Sequence, residues 1–452
     1  MNPQRLGEST VTVPISHPGA PGKGVNAGVG WGSACQHVAM ETPLIRRPHP
    51  DEAAELMAVG AMAFGWSPPA DGPLSAWQHA HFEPYAWCAE VAGRPVAKTA
   101  AFAMETTVPG GGSLPTPGVT SVAVRPTHRR RGLLRALMTR QLREMVEDGV
   151  PATVLTASEG SIYGRFGFGV STLYAHLEIS RTMVGFLDSA PGRRGGLSLE
   201  PMDATTARGI LPGLHEAQRA VTPGMSSRPA LIWDDIATDH ESGRHGRSEL
   251  FHILARDDGG RAVGALGYRI ESGPAGSTVP GSVVRVHHLI ASEPDVAMDL
   301  WRVVLDLDLT RTVTCYRAID EPLPWALVDP NAVSTRAVSD WTWMRILDLP
   351  AVFGARGWYA DGEVVIGVVD EMFPANHGSW MLTVERGAAH LTPTDREPLV
   401  VGPISSWATL YMGTVRAGTL AAAGRLEGDP GALVTLGAMF ATPTVPFNDV
   451  SF

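Results

Sequence analysis

An arginine-rich turn follows a strand-like segment at residues 118–135, which read GVTSVAVRPTHRRRGLLR. The alternating valines predict a strand that Pro126 ends, and a helix is predicted to begin at Gly132. The first turn of a helix carries backbone N–H groups without intrahelical acceptors, and the helix dipole favours an anion there. Because three arginines at 129–131 precede this helix, the stretch predicts an anion site, with phosphate as the expected anion.

The elements on both sides of this turn predict a mixed sheet with helices packed against it. Segments 87–93 and 95–108 are typical of two antiparallel strands that meet at a Gly-Arg turn. The helix after Gly132 has apolar residues at the i, i+3, i+4 spacing of an amphipathic helix. A short apolar strand at 152–157 and a brief helix beginning at Ser158 follow. The order ββ, β, α, β, α, β therefore predicts an α+β fold, that is, a mixed α/β arrangement.

The same order of elements recurs after residue 197, with a hairpin, a strand, a turn and an amphipathic helix. The turn of this second copy reads ASEPD, where the first copy reads RPTHRRRG. Glu293 and Asp295 at the start of a helix stabilise that helix but repel phosphate. The second copy is therefore predicted to keep the fold and to bind no cofactor.

Length, composition and charge limit the kinds of protein that this chain can be. A chain of 452 residues predicts two or three domains, and 44% hydrophobic with 18% charged residues is typical of a globular protein. The net charge of -10 disfavours a general nucleic-acid binder and is compatible with a cationic substrate. The 3 cysteines are widely spaced, so neither a disulfide framework nor a metal site is predicted.

The two ends of the chain have different compositions. Residues 1–39 are rich in Gly, Pro and Ser and are predicted to form a disordered extension. The final twelve residues, ATPTVPFNDVSF, are apolar and are predicted to be buried. No apolar run reaches the length of a membrane span, and no secretory signal is visible, so the predicted location is the cytoplasm.

Two motifs taken together resemble the GNAT acetyltransferases, namely VAVRPTHRRRGLLRA and ASEGSIYGRFGFG. Their sequences resemble the corresponding motifs of the Eis (enhanced intracellular survival) family of that superfamily, and the resemblance covers residues 40–452. It implies tandem GNAT folds, the second degenerate, followed by a sterol-carrier-protein-like α/β domain. The implied segments are a catalytic GNAT domain at 40–187, a degenerate copy at 197–340, and a C-terminal domain at 341–452 that supplies the terminal carboxylate.

The resemblance implies acetyl-CoA as cosubstrate and no metal. The loop amides, the helix dipole and the arginine side chains would hold its pyrophosphate. The preceding strand would pair with the pantetheine, and the N–H of Val122 would polarise the thioester oxygen. The residues predicted to contact the cofactor are Val122, Ala123, Val124, Arg129, Arg130, Arg131, Gly132, Leu133, Leu134, Arg135, Ser158 and Glu159.

Acetylation of an amine needs an acid for the departing thiolate and a base for the incoming ammonium. Tyr163 matches the catalytic tyrosine of the family and is the predicted acid. The resemblance assigns the base to the C-terminal carboxylate, which here belongs to Phe452, and burial would make that group more basic. Without the resemblance, a tyrosine such as Tyr163 is more typical of a core position.

Three aromatic residues from the first two helices are predicted to contact the acceptor, namely Phe64, Trp66 and Trp77, although their helical spacing also fits core positions. The family lines its pocket with aromatic and acidic residues. Trp66 lies where better-known members carry an acid, and Ser451 replaces an acidic penultimate residue. Both changes reduce the negative charge offered to a polycationic aminoglycoside.

The sequence thus predicts an N-acetyltransferase that transfers acetyl directly to an amine of an aminoglycoside-like polycation, with antibiotic resistance as the implied role. The resemblance further implies a homohexamer, and neither a nucleic-acid partner nor a membrane span is predicted. Acetylation of protein lysines or polyamines is an alternative within enzymes. A CoA- or lipid-binding protein without turnover is the alternative from another class, and Tyr163 disfavours it, because binding alone requires no acid.

Overall fold

Apolar periodicity and glycine-containing turns divide the chain into short strands and helices, seen in a computed structural model that describes residues 11–12, 42–66, 79–192, 197–273 and 281–452. The strands are β1 (Val11–Thr12), β2 (Leu44–Arg46), β3 (Trp87–Val91), β4 (Arg94–Phe102), β5 (Glu105–Thr107), β6 (Ser113–Pro115), β7 (Gly118–Val124), β8 (Ala152–Thr156), β9 (Gly169–Val170), β10 (Leu173–Ser180), β11 (Leu197–Met202), β12 (Phe251–Asp257), β13 (Ala262–Glu271), β14 (Ser282–Ala291), β15 (Thr310–Arg317), β16 (Val333–Asp340), β17 (Thr342–Ile346), β18 (Gly362–Val369), β19 (Gly378–Glu385), β20 (Ala388–Pro393), β21 (Val400–Pro403) and β22 (Glu427–Gly428).

Most of the described α-helices are short, and several connections contain a single 3-10 turn. The helices are α1 (Ala53–Phe64), α2 (Leu133–Glu147), α3 (Gly160–Tyr163), α4 (Ala204–Arg219), α5 (Ala230–Thr238), α6 (Glu241–Arg244), α7 (Pro294–Leu305), α8 (Leu323–Ala326), α9 (Leu349–Ala355), α10 (Ile404–Tyr411), α11 (Ala417–Ala422) and α12 (Pro430–Met439). Apart from β1, the extension predicted at 1–39 lies outside the described residues. No described helix is long and apolar enough to cross a bilayer.

The chain forms two compact units, and strand β7 and helix α2 contribute residues to both. The first unit comprises the described residues up to 66, residues 79–101 and residues 121–144. Its strands β1, β2, β3 and β4 pair antiparallel in that order. Its core contains apolar residues from the strands and from the first turns of α2, namely Ile45, Trp87, Ala89, Val96, Ala97, Leu133 and Leu137.

A buried amide fixes helix α2 on the sheet of the first unit. The Gln141 side chain is fully buried, and its Oε1 accepts from the Thr99 hydroxyl at 3.0 Å. Its Nε2 donates to the carbonyl oxygens of Tyr85 at 2.8 Å and Ala100 at 3.1 Å. Each polar group of this amide therefore has a partner, so its burial costs little and sets the helix in one register.

The second unit contains the ladders of β8, β17 and β9 in a first sheet, a second and a third sheet, and the two-stranded sheet of β5 and β6. The first and second sheets exchange strands. Strand β8 pairs in parallel with the start of β7 and antiparallel with β17, and β17 also pairs with β9. The second sheet has the order β11-β12-β13-β14-β15-β10-β16. Thus β10, from the segment predicted as 40–187, lies in the second sheet, whereas β17, from the segment predicted as 341–452, lies beside β8. The predicted segments, which are continuous in sequence, therefore do not correspond to separate sheets.

The third sheet belongs to the C-terminal part of the chain and has the order β20-β19-β18-β21-β22. A buried ion pair connects it to β17. Both Oδ atoms of Asp370 accept from Arg345 Nη2 at 2.8 Å, and the two side chains are at most 2% exposed. Asp370 also accepts from the Asn376 side chain at 3.1 Å. A buried pair with these additional hydrogen bonds is strongly destabilising to break by removing one partner alone.

We predict that Arg345→Met lowers the free energy of unfolding by about 3–5 kcal/mol, because the buried Asp370 would lose its ion-pair partner. Chemical denaturation measures the change. Arg396→Met is the matched control, since Arg396 pairs with Glu363 at 3.6 Å on the surface, with 63% and 57% of the side chains exposed. The control is expected to change stability by about 0–1 kcal/mol. Equal effects of the two substitutions would contradict the prediction.

Candidate active site

The predicted anion loop lies in the first unit, between the end of β7 and the start of α2. The first helical hydrogen bond runs from Ala136 N–H to Gly132 O at 3.0 Å, so the amides of residues 133–135 precede it and have no intrahelical acceptor. Arg130 and Gly132 have φ values of 62° and 77°. These left-handed residues turn successive amides out of the chain path, as in other anion-binding loops.

The side chains of this loop are positively charged and reachable. Arg129 and Arg130 are exposed, and one Nη of Arg129 donates to Ala63 O at 3.4 Å. Burial, together with the charges of Arg131 and Arg125, lowers the pKa of His128 below its usual value. Free amides, exposed guanidinium groups and a local positive potential fit a diphosphate, so this part of the chain suits the pyrophosphate of a nucleotide such as CoA.

Strand β7 is irregular immediately before the residues predicted to face the cofactor. Its ladder with β8 comprises Gly118 with Val154 and Val119 with Leu155. Two residues later, Ser121 has a φ of 55°, which a strand residue does not normally adopt. This bulge at Ser121 distorts the strand, and both pairs with β8 lie before it. The backbone groups of 122–124 on the β8 side are therefore outside that ladder, which is what pairing with a ligand amide requires.

Helix α3, which carries Tyr163, begins four residues after β8 ends. Its N-cap is Glu159 and not Ser158, and both residues are exposed. The Tyr163 ring is 6% exposed and meets Phe168 edge to face, with ring centroids 6.0 Å apart. Burial and, to a lesser extent, the nearby Glu159 charge raise the pKa of the Tyr163 hydroxyl to about 12. Because the hydroxyl keeps its proton at neutral pH, it is a donor and not a base.

The last residue of the chain is buried against the start of β7. A Cβ atom on Gly118 would lie 2.9 Å from the Phe452 ring, so glycine leaves the space that the ring occupies. An oxygen of the Phe452 α-carboxyl group accepts from the Thr156 hydroxyl at 3.0 Å, and the residue is 6% exposed. Thr156 is the last residue of β8. The structure therefore brings Phe452 to the end of the strand that precedes the Tyr163 helix.

The predicted acceptor residues have different outcomes. Phe64 and Trp66 are 53% and 39% exposed, so they are surface residues and not core residues. Trp77 lies outside the described residues. Both exposed rings are at the C-terminal end of α1, where a ligand could reach them.

Sequence reasoning missed a buried basic pair beneath α1. Lys98 is 2% exposed, and its Nζ lies 2.7 Å from Nε2 of His81, which is fully buried. A Cβ on Gly60 would lie 3.2 Å from that Nζ and 3.5 Å from the Trp66 ring. Burial lowers the pKa of Lys98 to about 7. A lysine in the middle of the otherwise apolar strand β4 was the available signal, because lysine is almost never fully buried without a partner.

A cavity of about 610 Å³ lies elsewhere, at the start of β12 in the second sheet. Its lining includes Asp239, Leu250 and Tyr268 and none of the predicted site residues. Within the described part of the chain, no group of three or more His, Cys, Asp or Glu residues could hold a metal ion.

Comparisons with known proteins agree with this arrangement. Family models described as an acetyltransferase (GNAT) domain match residues 44–171 and 224–346, and a sterol carrier protein domain matches 349–448. The chain is 36% identical over 325 residues to the N-acetyltransferase Eis of Mycobacterium tuberculosis (strain CDC 1551 / Oshkosh), which covers 72% of this chain and 77% of the relative. An N-acetyltransferase of Streptomyces avermitilis, named as uncharacterized, is 33% identical over 78% of this chain and 85% of its own length.

Among solved structures, Eis1 from Mycobacterium abscessus superposes with a TM-score of 0.77 at 29% identity, covering 90% of this chain and 100% of that one. A GNAT protein from Anabaena variabilis superposes with the same TM-score at 19% identity, which bears on the fold alone. These matches confirm the predicted tandem GNAT folds and the sterol-carrier-like domain.

The Lys98 pair generates a pH prediction. The pKa of Lys98 is about 7 in the folded protein and near 10.5 when exposed, so unfolding takes up a proton between these values and the free energy of unfolding rises with pH across this window. The slope is at most about 1.4 kcal/mol per pH unit. Lys98→Met should remove this contribution. Urea denaturation at pH 7, 8 and 9 measures it, and parallel pH dependences of wild type and Lys98→Met would show that Lys98 titrates normally.

Proposed function

The chain belongs to the Eis family of GNAT N-acetyltransferases, and we propose that it transfers the acetyl group of acetyl-CoA directly to an amine of an aminoglycoside-like polycation. The observation that carries this proposal is the burial of Phe452 at the end of β8, with its oxygen bound by Thr156. The Phe452 ring packs against Gly118, and its carboxyl group lies at the end of β8, the strand that precedes the Tyr163 helix.

The proposed reaction proceeds by proton transfers and involves no covalent enzyme intermediate. The α-carboxylate of Phe452 takes a proton from the acceptor ammonium, and the free amine attacks the thioester carbonyl. The N–H of Val122 stabilises the oxyanion. As the C–S bond breaks, Tyr163 donates its proton to the sulfur, and the nitrogen that is now bonded to the acetyl carbon gives its second proton to the Tyr163 oxygen. The amide product and CoA leave, and the Phe452 carboxyl group releases its proton to solvent. The raised pKa of Tyr163 supports its role as a donor, because the proton stays on the oxygen until charge develops on the leaving group.

Acetyl-CoA would be held by the loop of the first unit. The amides of Leu133, Leu134 and Arg135 and the side chains of Arg129, Arg130 and Arg131 would receive the pyrophosphate, with Gly132 supplying the turn. The segment Val122–Val124 would receive the pantetheine, and Ser158 with Glu159 would border the cofactor from the start of α3. These assignments rest on free amides, exposed arginines and the bulge at Ser121.

A second acceptor class is favoured by the basic pair beneath α1. Lys98 and the exposed Trp66 occupy a region where a receptor for polycations is expected to offer carboxylates. Because the Lys98–His81 pair offers no carboxylate to additional ammonium groups, an acceptor with a single amine, such as a protein lysine, would lose less binding energy there than an aminoglycoside or a polyamine. The homohexamer, the cytoplasmic location, a role in antibiotic resistance and the segment boundaries 40–187, 197–340 and 341–452 stay predictions.

A thiol-release assay with acetyl-CoA tests the function and the acceptor class together. We expect CoA release with aminoglycosides, and mass spectrometry of the product should show one added acetyl per thiol released. Polyamines and lysine peptides are the comparison acceptors. Turnover restricted to lysine peptides would select the second acceptor class, and no CoA release with any amine would contradict the proposed chemistry.

Tyr163→Phe is expected to lower kcat by about 100- to 10,000-fold, because the leaving thiolate loses its proton donor. The KM for acetyl-CoA should stay unchanged, since the substitution removes only the hydroxyl. Tyr359→Phe is the matched control, because Tyr359 is 51% exposed in the C-terminal part of the chain. Steady-state kinetics gives both constants. A loss confined to acetyl-CoA binding would assign Tyr163 to the cofactor site and not to proton transfer.

A further inference from the structure

The segment that leads to Phe452 is held by the second GNAT copy. The amide of Phe447 donates to Pro223 O at 2.9 Å, and its ring is 5% exposed. The Val450 side chain is fully buried, and its carbonyl oxygen accepts from Trp341 Nε1 at 3.2 Å. Six residues at the end of the chain therefore follow a path fixed by elements far from them in sequence.

Asn448 is the most fully bonded side chain of this segment. It is 2% exposed, and its Oδ1 accepts from the amides of Ser226 at 3.2 Å and Val450 at 3.1 Å. Its Nδ2 donates to the Thr342 hydroxyl at 3.0 Å and contacts the Ser226 hydroxyl at 3.4 Å. An amide with all its polar groups paired in a buried site holds the backbone in one position.

Asp449 adds charge to this anchor. Its Oδ1 lies 3.3 Å from Arg228 Nη2 and 3.3 Å from His215 Nε2. The side chains of Arg228 and His215 are 5% and 0% exposed, whereas that of Asp449 is 16% exposed. Burial alone would raise the pKa of Asp449, but the charges of Arg228 and His215 hold it well below its usual range.

The contacts of Arg228 and His215 with Asp449 reduce the stability that the same buried space could provide. Among the described residues, Arg228 Nη1 is buried without a hydrogen-bond partner, and His215 Nδ1 lies 3.7 Å from Glu216 Oε1, beyond hydrogen-bond distance. Leaving such atoms unpaired costs stability, and an apolar pair would fill the same space without that cost. Asp449 precedes Phe452 by three residues, so the anchor acts on the part of the chain that sets the position of the terminal residue.

We propose that the second GNAT copy positions the Phe452 carboxylate for catalysis, with Arg228 and His215 acting through Asp449. This inference rests on the proposed function, because it assumes that Phe452 takes part in the reaction. Arg228, His215 and Asp449 are positioning residues, since they hold the tail and do not touch the reacting atoms. The copy that carries acids in place of the arginine loop thus keeps a role in the active site.

Asp449→Asn tests the proposal in two backgrounds. One has the natural tail, and the other has Gly-Ser added after Phe452. The addition converts the Phe452 carboxylate into a peptide bond and so removes the proposed base. In the natural background kcat should fall about tenfold or more, with unchanged KM for acetyl-CoA, because small displacements of a catalytic group have large effects on rate. In the extended background, which is already slow, Asp449→Asn should cause no further loss of kcat. Arg228→Met should behave like Asp449→Asn, and Arg228→Lys should restore part of the lost turnover.

Asp239→Asn is the matched control, because Asp239 also pairs with arginines in the second sheet region, Arg269 and Arg244, and has no hydrogen bond to the tail. It should leave kcat unchanged in both backgrounds. Carboxypeptidase digestion gives a readout that does not depend on activity: Phe452 should be released faster from Asp449→Asn than from wild type or Asp239→Asn. This measurement also applies if a variant folds less stably, provided that the melting temperatures are compared.

The outcomes separate the two proposals. If the extension lowers turnover but Asp449→Asn does not, or lowers it equally in both backgrounds, the positioning role is wrong and the assignment of the base to Phe452 survives. If the extension leaves turnover unchanged, Phe452 is not the base, and the positioning role fails with it. If Asp449→Asn lowers kcat in the natural background but not in the extended one, and carboxypeptidase releases Phe452 faster from Asp449→Asn than from wild type, both proposals are supported.

Discussion

The ladder between β8 and β17 is the constraint on which the candidate site depends. Five consecutive residue pairs, from Thr342 with Thr156 to Ile346 with Ala152, hold β8 on one side, whereas β7 holds it through two pairs on the other. The longer ladder comes from a strand almost 200 residues away in sequence. Because Thr156 ends β8 and binds the Phe452 oxygen, the position of the proposed base depends on a strand supplied by the second half of the chain.

This exchange also explains why a copy without an arginine loop is retained. Strand β10 lies between β15 and β16 in the second sheet, while β17 returns from that sheet to the first. Neither sheet is complete without a strand from the other half. The second GNAT match, residues 224–346, includes β17, so its loss would remove a central ladder of the first sheet. A duplicated domain joined in this way is free to lose its ligand site, since its contribution to stability remains.

Sequence reasoning identified the parts whose chemistry is local. The arginine loop, the helix after it and the Tyr163 motif are each contained in a few consecutive residues, so their pattern predicted the elements, and their resemblance to known motifs indicated the family. The strand exchange could not be predicted, because β8 and β17 carry no pattern that specifies each other as partners. Side-chain exposure was equally inaccessible. Phe64 and Trp66 have a spacing that fits a core, and the structure places them at the surface.

Burial affects two charged groups of the chain in opposite ways. In the first unit, Lys98 is buried with His81 as its contact, so burial lowers its pKa to about 7 and reduces the average positive charge near Trp66 below that of an exposed lysine. In the second unit, the partly buried Asp449 lies between Arg228 and His215, whose charges outweigh the effect of burial and keep the carboxylate ionised. A neutral lysine neither attracts nor strongly repels a cationic acceptor, whereas a fixed carboxylate holds the tail. In the first unit, selectivity for the acceptor would then depend on groups that a polycation can reach, such as the exposed rings of Phe64 and Trp66, and not on the buried Lys98.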